Sequence, residues 1–388
     1  MANTWLEPDI VAQEALVLLQ SNLVATRLFS RRYEADLNSA AKVGDTVRVR
    51  RRGQGAVQEF VQGTQPTISD ISESSLSLTL EKHFDATVRI TDRERTLSIV
   101  DFSQQVLAPF VVEMGERIDS YALTKIRELP TPHKDTAGGL PNSIAEMALV
   151  DKAMNDLKIP LSPRYQIAST EYKATLLGVD SFTEVDKSGA SSALRQAQIG
   201  EIMGINTFMS QNVVTSTHTA GTITPTNANA PVTAEGVLGA TSLTLTLASG
   251  DAVDIKAGDL VDVAGYGYVR AAANSTVGAS TTGTLTISEP LRAAVTAGAA
   301  ITIFGDSGTY QSHGAAFHPD AFAFISAPLD LPIGAEASYI QDPATGLSIR
   351  AVFDYDRDQK SDVLSLDILV GAAMVDGRLG VQIVKDIP

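Results

Sequence analysis

The chain has no cysteine in 388 residues, which excludes a thiolate nucleophile, a cysteine-based zinc site, an iron–sulfur cluster and a disulfide framework. Basic residues are also scarce. Lys and Arg number 30 against 45 Asp and Glu, a formal charge of -15 and the opposite of what general phosphate binding needs. The opening MANTWLEPDIVAQE has no basic n-region and carries acids early, so a secretory leader is not expected. The longest stretch free of Asp, Glu, Lys and Arg, Ile202 to Ala234, is filled with Asn, Thr, Ser and Pro, so no membrane span is expected. Phosphate-cradle, nucleophile-elbow and zincin motifs are missing. What is present is core material, 44% hydrophobic, enough for two or three ordered domains.

Periodicity gives the order of parts. Ile10, Ala15, Leu16, Leu19 and Leu23 recur at helical spacing after Pro8 and Asp9, an amphipathic arm that needs a surface to lie on. From Val43 the period becomes two: Val47 and Val49 alternate with Arg48 and Arg50, and Leu76, Leu78 and Leu80 with Ser77, Thr79 and Glu81. These predict the two sides of a long hairpin. Its distal part, Gly53 to Ser75, is Gly, Gln, Ser, Thr and acids, with too little apolar material for a core of its own, so it is expected to project. Asp101 then opens the longest helical pattern, its stripe running from Val106 to Leu129, about 40 Å of helix at about 1.5 Å per residue, with Pro109 either starting its regular part or kinking it. A capping box, Ser143 with Glu146, opens another helix that stops by Pro160. Strand patterns at Tyr165 to Ala168 and Ile202 to Met209, with helical stretches at Tyr172 to Leu177 and Ala190 to Ala197, complete a mixed α+β body.

At Thr217 the composition shifts. Between Thr217 and Asp306, 50 of 90 residues are Gly, Ala, Ser or Thr and only 10 are charged. Short alternating runs there, such as Leu243, Leu245 and Leu247, predict a small barrel or sandwich. Strand patterns of the body's type resume afterwards, at Phe322 to Ile325, Ser348 to Phe353 and Leu364 to Val370, so this segment reads as a domain inserted into another.

Catalytic candidates are poor. The five histidines are scattered, and the spacing of His313 and His318 puts them on neither one helical nor one strand face. Asp354, Asp356 and Asp358 begin like a calcium loop, but Gln359 stands where Gly is needed and Ser365 where Glu is needed, so a turn between strands is the better reading. No catalytic residue, cofactor or metal site is predicted. The one charge cluster, Arg48, Arg50, Arg51 and Arg52, reads as a solvated strand face, then as partners for carboxylates of a neighbouring copy, with Glu59, Asp70 and Glu73 on the projecting loop available, and least as a phosphate contact, given the acidic whole. Two other functions remain open: a β-rich tail, adhesin or decoration protein, motivated by the Thr/Gly/Ala-rich segment, and a hydrolase built on paired carboxylates of shifted pKa.

The order of parts, with FSQQVLAPFVVEMGERID at Phe102 to Asp119, IGEIMGINTFMSQNV at Ile199 to Val213, AFHPDAFAFISAPL at Ala316 to Leu329 and the run Phe353 to Ile383, resembles the major capsid proteins of tailed bacteriophages. It is similar to the Hong Kong 97 (HK-97) type fold, and specifically to the P-22-like coat proteins with an inserted β-barrel. The resemblance implies an N-terminal arm at 1–42, an extended loop and its base at 43–88 and a peripheral domain with a spine helix at 89–159. It further implies an axial domain at 160–216 and 307–347, an inserted barrel at 217–306 and closing strands at 348–388. It implies a non-enzymatic protein of the virion that forms hexamers and pentamers of itself, closes an icosahedral shell around double-stranded DNA without reading its sequence, and works with a scaffolding protein and a portal. One departure matters: Gly53 to Leu80 contains no Lys, so the Lys to Asn isopeptide welding of the fold's type member is not expected from that loop. On this view the arm and hairpin find their burial on sister copies, and their ordering entropy is offset at assembly.

Overall fold

The computed structural model describes residues 8–33, 46–50, 62, 75–91, 107–179, 200–225, 232–278, 282–305, 308–334, 336–341 and 347–387. The chain divides into two compact units. One comprises Met1–Arg48, Ser77–Lys125 and Phe322–Met374, the other Val49–Leu76, Ile126–Ala321 and Val375–Pro388.

The first unit is built on a five-stranded antiparallel sheet. Its longest strand, Ser361–Met374, pairs with Lys82–Thr91 over ten residues, with Ser348–Asp356 over seven and with Phe322–Ala327 over six, while Glu336–Gln341 continues from Ser348–Asp356. The amphipathic arm forms helix α1 (Pro8–Asn22), followed by the single turn α2 (Ala25–Leu28). Contrary to the expectation that it waits for a sister copy, α1 is covered by its own chain. Val11, Ala12, Ala15, Leu16, Leu19 and, just beyond the helix, Leu23 are buried, packed against α3 (Ala108–Thr124) and the strands Glu336–Gln341 and Ser348–Asp356. The side chain of Ile10 lies outside those described. Each large apolar side chain so buried contributes roughly 1.5–3 kcal/mol, stabilisation that α1 draws from its own chain.

Helix α3 begins at Ala108 with Pro109 in its first turn, where a missing N–H costs nothing. It tightens into a 3-10 turn at Lys125–Glu128, so the stripe expected to run as one helix to Leu129 ends its regular part at Thr124. Residues 102–106 lie outside the described set. Asp119 on α3 is fully buried and accepts the backbone N–H groups of Val24 (3.1 Å) and Ala25 (2.7 Å). A carboxylate at the start of α2 satisfies donors that the single turn leaves open. Beyond α2, Phe29 stacks on Phe322 at 4.7 Å and Ser30 exchanges backbone bonds with Phe322 and Phe324.

The second unit carries a seven-stranded sheet in the order Pro132–His133, Gly380–Ile387, Thr309–Phe317, Tyr165–Ala168, Ile205–Met209, Gly200–Ile202, with Thr217–Thr219 also on Thr309–Phe317. The single strand expected over Ile202 to Met209 is a hairpin. Met203 (φ 50°) and Gly204 (φ 80°) turn the chain with two left-handed residues, which suits a two-residue hairpin loop. Helix α4 (Ile144–Asp156) is capped by Ser143, whose hydroxyl accepts the N–H of Glu146 at 3.3 Å. At its other end the buried Arg164 donates to Asp151, Asn155 and the carbonyls of Ile159 and Pro160. Helix α5 (Thr170–Leu177) follows, capped by Ser169. The helical stretch expected at Ala190 to Ala197 lies outside the described residues.

Inserted between Thr217–Thr219 and Thr309–Phe317 are a six-stranded sheet, Gly267–Arg270, Leu260–Val263, Val295–Ile303, Thr233–Gly236, Ser242–Thr246, Thr282–Thr286, and a three-stranded one, Ser275–Val277, Ala252–Ile255, Thr222–Thr224. Alternation works as the sequence predicts: Leu243 and Leu245 point inward and Ser242, Thr244 and Thr246 outward. Val253, Ile255, Leu260, Val261, Val263, Leu285 and Ile301 fill a separate apolar core, joined by Tyr310 and Val384 from the seven-stranded sheet.

Candidate assembly surfaces and the search for chemistry

The predicted hairpin is present at its base, where Thr46–Arg50 and Ser75–Thr79 form a two-stranded sheet. Val49 and Leu78 are buried, while Arg48, Ser75 and Ser77 are exposed. Arg48 is therefore on the solvent side of the ribbon. Arg50 ends the same strand, its side chain outside those described, and Arg51, Arg52, Glu59, Asp70 and Glu73 lie outside the described residues. The cluster is thus placed at the root of the loop by Arg48 and Arg50 alone.

Two groupings test the enzymatic readings. Ser169, Glu171 and His313 come together, but both contacts fall on one ring nitrogen: Nδ1 lies 3.2 Å from Ser169 Oγ and 3.7 Å from Glu171 Oε2. A hydroxyl-to-carboxylate relay needs the two partners on opposite nitrogens. Ser169 Oγ also accepts the N–H of Tyr172 as the cap of α5, and burial lowers the pKa of His313 below its ordinary 6.5 against the raising influence of Glu171. His318, by contrast, lies after the strand and stands beside Asp320.

The second grouping is a carboxylate pair. Asp85 and Asp367 face each other directly across two strands of the five-stranded sheet, an arrangement that repels unless neighbours offset it. Arg350 supplies the offset, donating through Nε (3.1 Å) and Nη2 (2.6 Å) to Asp367 Oδ2, and its Nη1 reaches the Asp330 carbonyl at 2.6 Å. Ser365 (2.7 Å) and Thr87 (2.9 Å) donate to Asp85, and His83 Nε2 lies 3.4 Å from Asp367. Burial pushes the Asp85 carboxyl up, but these hydroxyl donors outweigh it and hold it below 3.8. Asp85 so held is ionised at neutral pH and is no proton donor, and with Arg350 on Asp367 the pair ties the two strands together in register.

Among the described residues no group of three or more His, Asp and Glu side chains is placed to hold a metal ion. The Asp354 to Asp358 segment is the turn of a hairpin: Asp356 Oδ1 accepts the N–H groups of Asp358 (3.0 Å) and Gln359 (3.2 Å) between strands Ser348–Asp356 and Ser361–Met374. No described helix is long and apolar enough to cross a membrane.

The sequence patterns did not mark the exposed apolar residues, which fall outside the periodic runs or on strands whose covered face the spacing does not show. Ile333 is fully exposed and Leu331 and Tyr339 nearly half so in the first unit; in the second Leu161 is largely exposed and Met203 and Phe208 about two-fifths so. The Pro328, Pro332 and Gly334 spacing around Leu331 and Ile333 was the available sign of a surface loop.

The architecture has counterparts among solved structures. A structure from Mycobacterium phage Che8 matches with a TM-score of 0.51 at 15% identity, over 93% of this chain and 90% of that one. The capsid structure of the Cyanophage P-SCSP1u matches at TM-score 0.48 and 11% identity, over 92% and 86%. The acid-stable capsid structure of Helicobacter pylori bacteriophage KHP30 matches at 0.47 and 9%, over 100% and 93%. No protein-family model and no curated protein matches the chain. The class is therefore set by the fold: an α+β chain sharing its architecture with a phage protein along nine-tenths of both lengths. That architecture is the HK-97 type, here with an inserted all-β domain.

Proposed function

We propose that this protein is a major capsid protein, which assembles as hexamers and pentamers of itself into the icosahedral shell around the double-stranded DNA of a tailed bacteriophage. The observation that carries the reading is the HK-97 type fold along nearly the whole chain. On this reading 43–88 is the extended loop and its base, α3 the spine helix, the seven-stranded sheet the axial domain and the two smaller sheets the inserted domain. A scaffolding protein and a portal are the further partners, and the protein resides in the virion.

The residues support such a role physically. Leu331, Ile333 and Tyr339 are apolar contacts that a shell interface would cover. Many interfaces of roughly 1,200–2,000 Å² add through multivalency while each stays reversible enough to correct errors. The charge of -15 keeps free subunits apart and lets DNA be packed without sticking. The fibre reading is less favoured because the Thr/Gly/Ala-rich strands close around a core of their own. Negative-stain images of the purified protein test the proposal: capsomers or closed shells are expected, and elongated trimers, or monomers under every assembly condition, would overturn it.

A further inference from the structure

An inserted domain held only by its two chain connections is free to swing. Here further attachments exist, on residues remote in sequence from both connections: Arg270 donates to the Arg127 carbonyl, Lys134 Nζ lies 4.9 Å from the centre of the Phe304 ring, and the most extensive is a charged cluster. Glu289 and Arg292 stand on the turn between the barrel strands Thr282–Thr286 and Val295–Ile303. Arg292 Nη2 donates to Glu289 Oε2 at 2.5 Å and to Asp376 Oδ1 at 3.1 Å. Glu289 Oε1 accepts the N–H of Gly377 at 2.9 Å. Asp376 is held in turn by Arg378, through Nε at 3.0 Å and Nη2 at 2.6 Å, and Asp376–Arg378 leads into the strand Gly380–Ile387 of the seven-stranded sheet. The approach needs the glycine: a Cβ on Gly377 would stand 2.7 Å from Pro130 Cδ and 3.1 Å from Glu289 Oε2. All four charged side chains are largely covered, so each depends on its partners.

We propose that Glu289, Arg292, Asp376 and Arg378 form a polar latch that fixes the barrel against the seven-stranded sheet and can open without either part unfolding. The barrel and the sheet have separate apolar cores, the first around Leu243, Leu260 and Leu285, the second around Met147, Val150 and Ile383. Tyr310 and Val384 join the barrel's core beside the chain connection at Thr309, which makes that end the pivot. Charge pairs suit the opposite role, because water replaces their partners when they separate, whereas an opened apolar contact has no such substitute.

The absence of native cysteine allows a direct test on the full-length, unassembled protein. Spin labels placed at Val237→Cys on the barrel and Leu161→Cys on the body, both exposed, report the distance between the two parts by electron-spin resonance. A single narrow distance is expected, lost to a broad distribution in Glu289→Ala/Arg292→Met and again in Asp376→Asn, which keeps the shape and removes the charge. Amide protection of the strands Ser242–Thr246 and Leu260–Val263 should be unchanged in both variants. An unaltered distance distribution would overturn the latch, and so would loss of barrel protection, since barrel and sheet would then be one cooperative core. Neither outcome depends on whether the protein forms shells.

Discussion

Single residues show how little free space the first unit's sheet leaves. Gly371 lies in the long strand Ser361–Met374, where a Cβ would stand 2.2 Å from the Thr79 carbonyl oxygen and 3.2 Å from Ile325 Cγ1. Backbone cannot yield as a side-chain tip can, so Gly371→Ala is expected to cost about 1–3 kcal/mol or more. Gly278→Ala, where nothing lies within 4 Å, should stay within about 0.5 kcal/mol. Urea midpoints of the two variants decide the matter. Titration supplies a second expectation at this scale. Burial lowers the pKa of both His313 and His133 below 6.5, against the raising influence of Glu171 and Glu146 respectively. The unfolded chain therefore takes up protons before the folded one does. Stability from these groups is fully present above 6.5 and is lost as pH falls from there through the folded values. Melting temperature should drop between pH 7.5 and 5.5, and His313→Gln should flatten that drop; an unchanged slope would remove His313 from the account.

The elements reveal which surfaces belong to the subunit itself. Leu19 of α1 is fully buried on its own chain, so Leu19→Ala is expected to destabilise the isolated subunit by about 2–5 kcal/mol. An arm that waited for a neighbour would leave the isolated subunit's denaturation midpoint untouched. Periodicity made α1, the hairpin strands and the inserted sheets' Leu243, Leu245, Leu247 alternation legible, because apolar spacing is written directly in the chain. The capping Ser143 was equally readable, since it acts on an N–H group three residues away; Ser169 caps α5 in the same way without having been marked. Partners distant in sequence were not legible. Asp119 capping α2 from 94 residues away and Asp85 facing Asp367 carry no local mark. Nor does an amphipathic stripe say whose surface covers it, which is why α1 was expected on a sister copy. The Met203 and Gly204 turn was missed because an apolar run interrupted by one glycine also fits a continuous strand. Of the candidate site, the sequence marked Arg48 and Arg50 at the root of the loop but could not mark exposed apolar residues such as Ile333.

At the scale of the whole molecule the remaining question is what a subunit lacks when it is alone, and with α1 already covered the answer narrows to the loop rooted at Thr46–Arg50 and Ser75–Thr79. Between those strands the sequence holds Gly, Gln, Ser and Thr with few large apolar residues. Ordering such a segment costs about 1–2 kcal/mol per residue in backbone entropy, and the segment has little apolar area of its own to bury in return. If the proposed capsid role holds, a neighbouring subunit supplies that area, and the loop's contribution then belongs to assembly and not to folding. Deleting residues 62–73 should therefore leave a soluble chain with an unchanged denaturation midpoint while abolishing shells in negative-stain images and shifting the sedimentation profile to free subunits. A shortened chain that unfolds would place the loop in the subunit's core. One that still closes shells would show that the exposed apolar positions around Leu331, Ile333 and Tyr339 hold the particle without it.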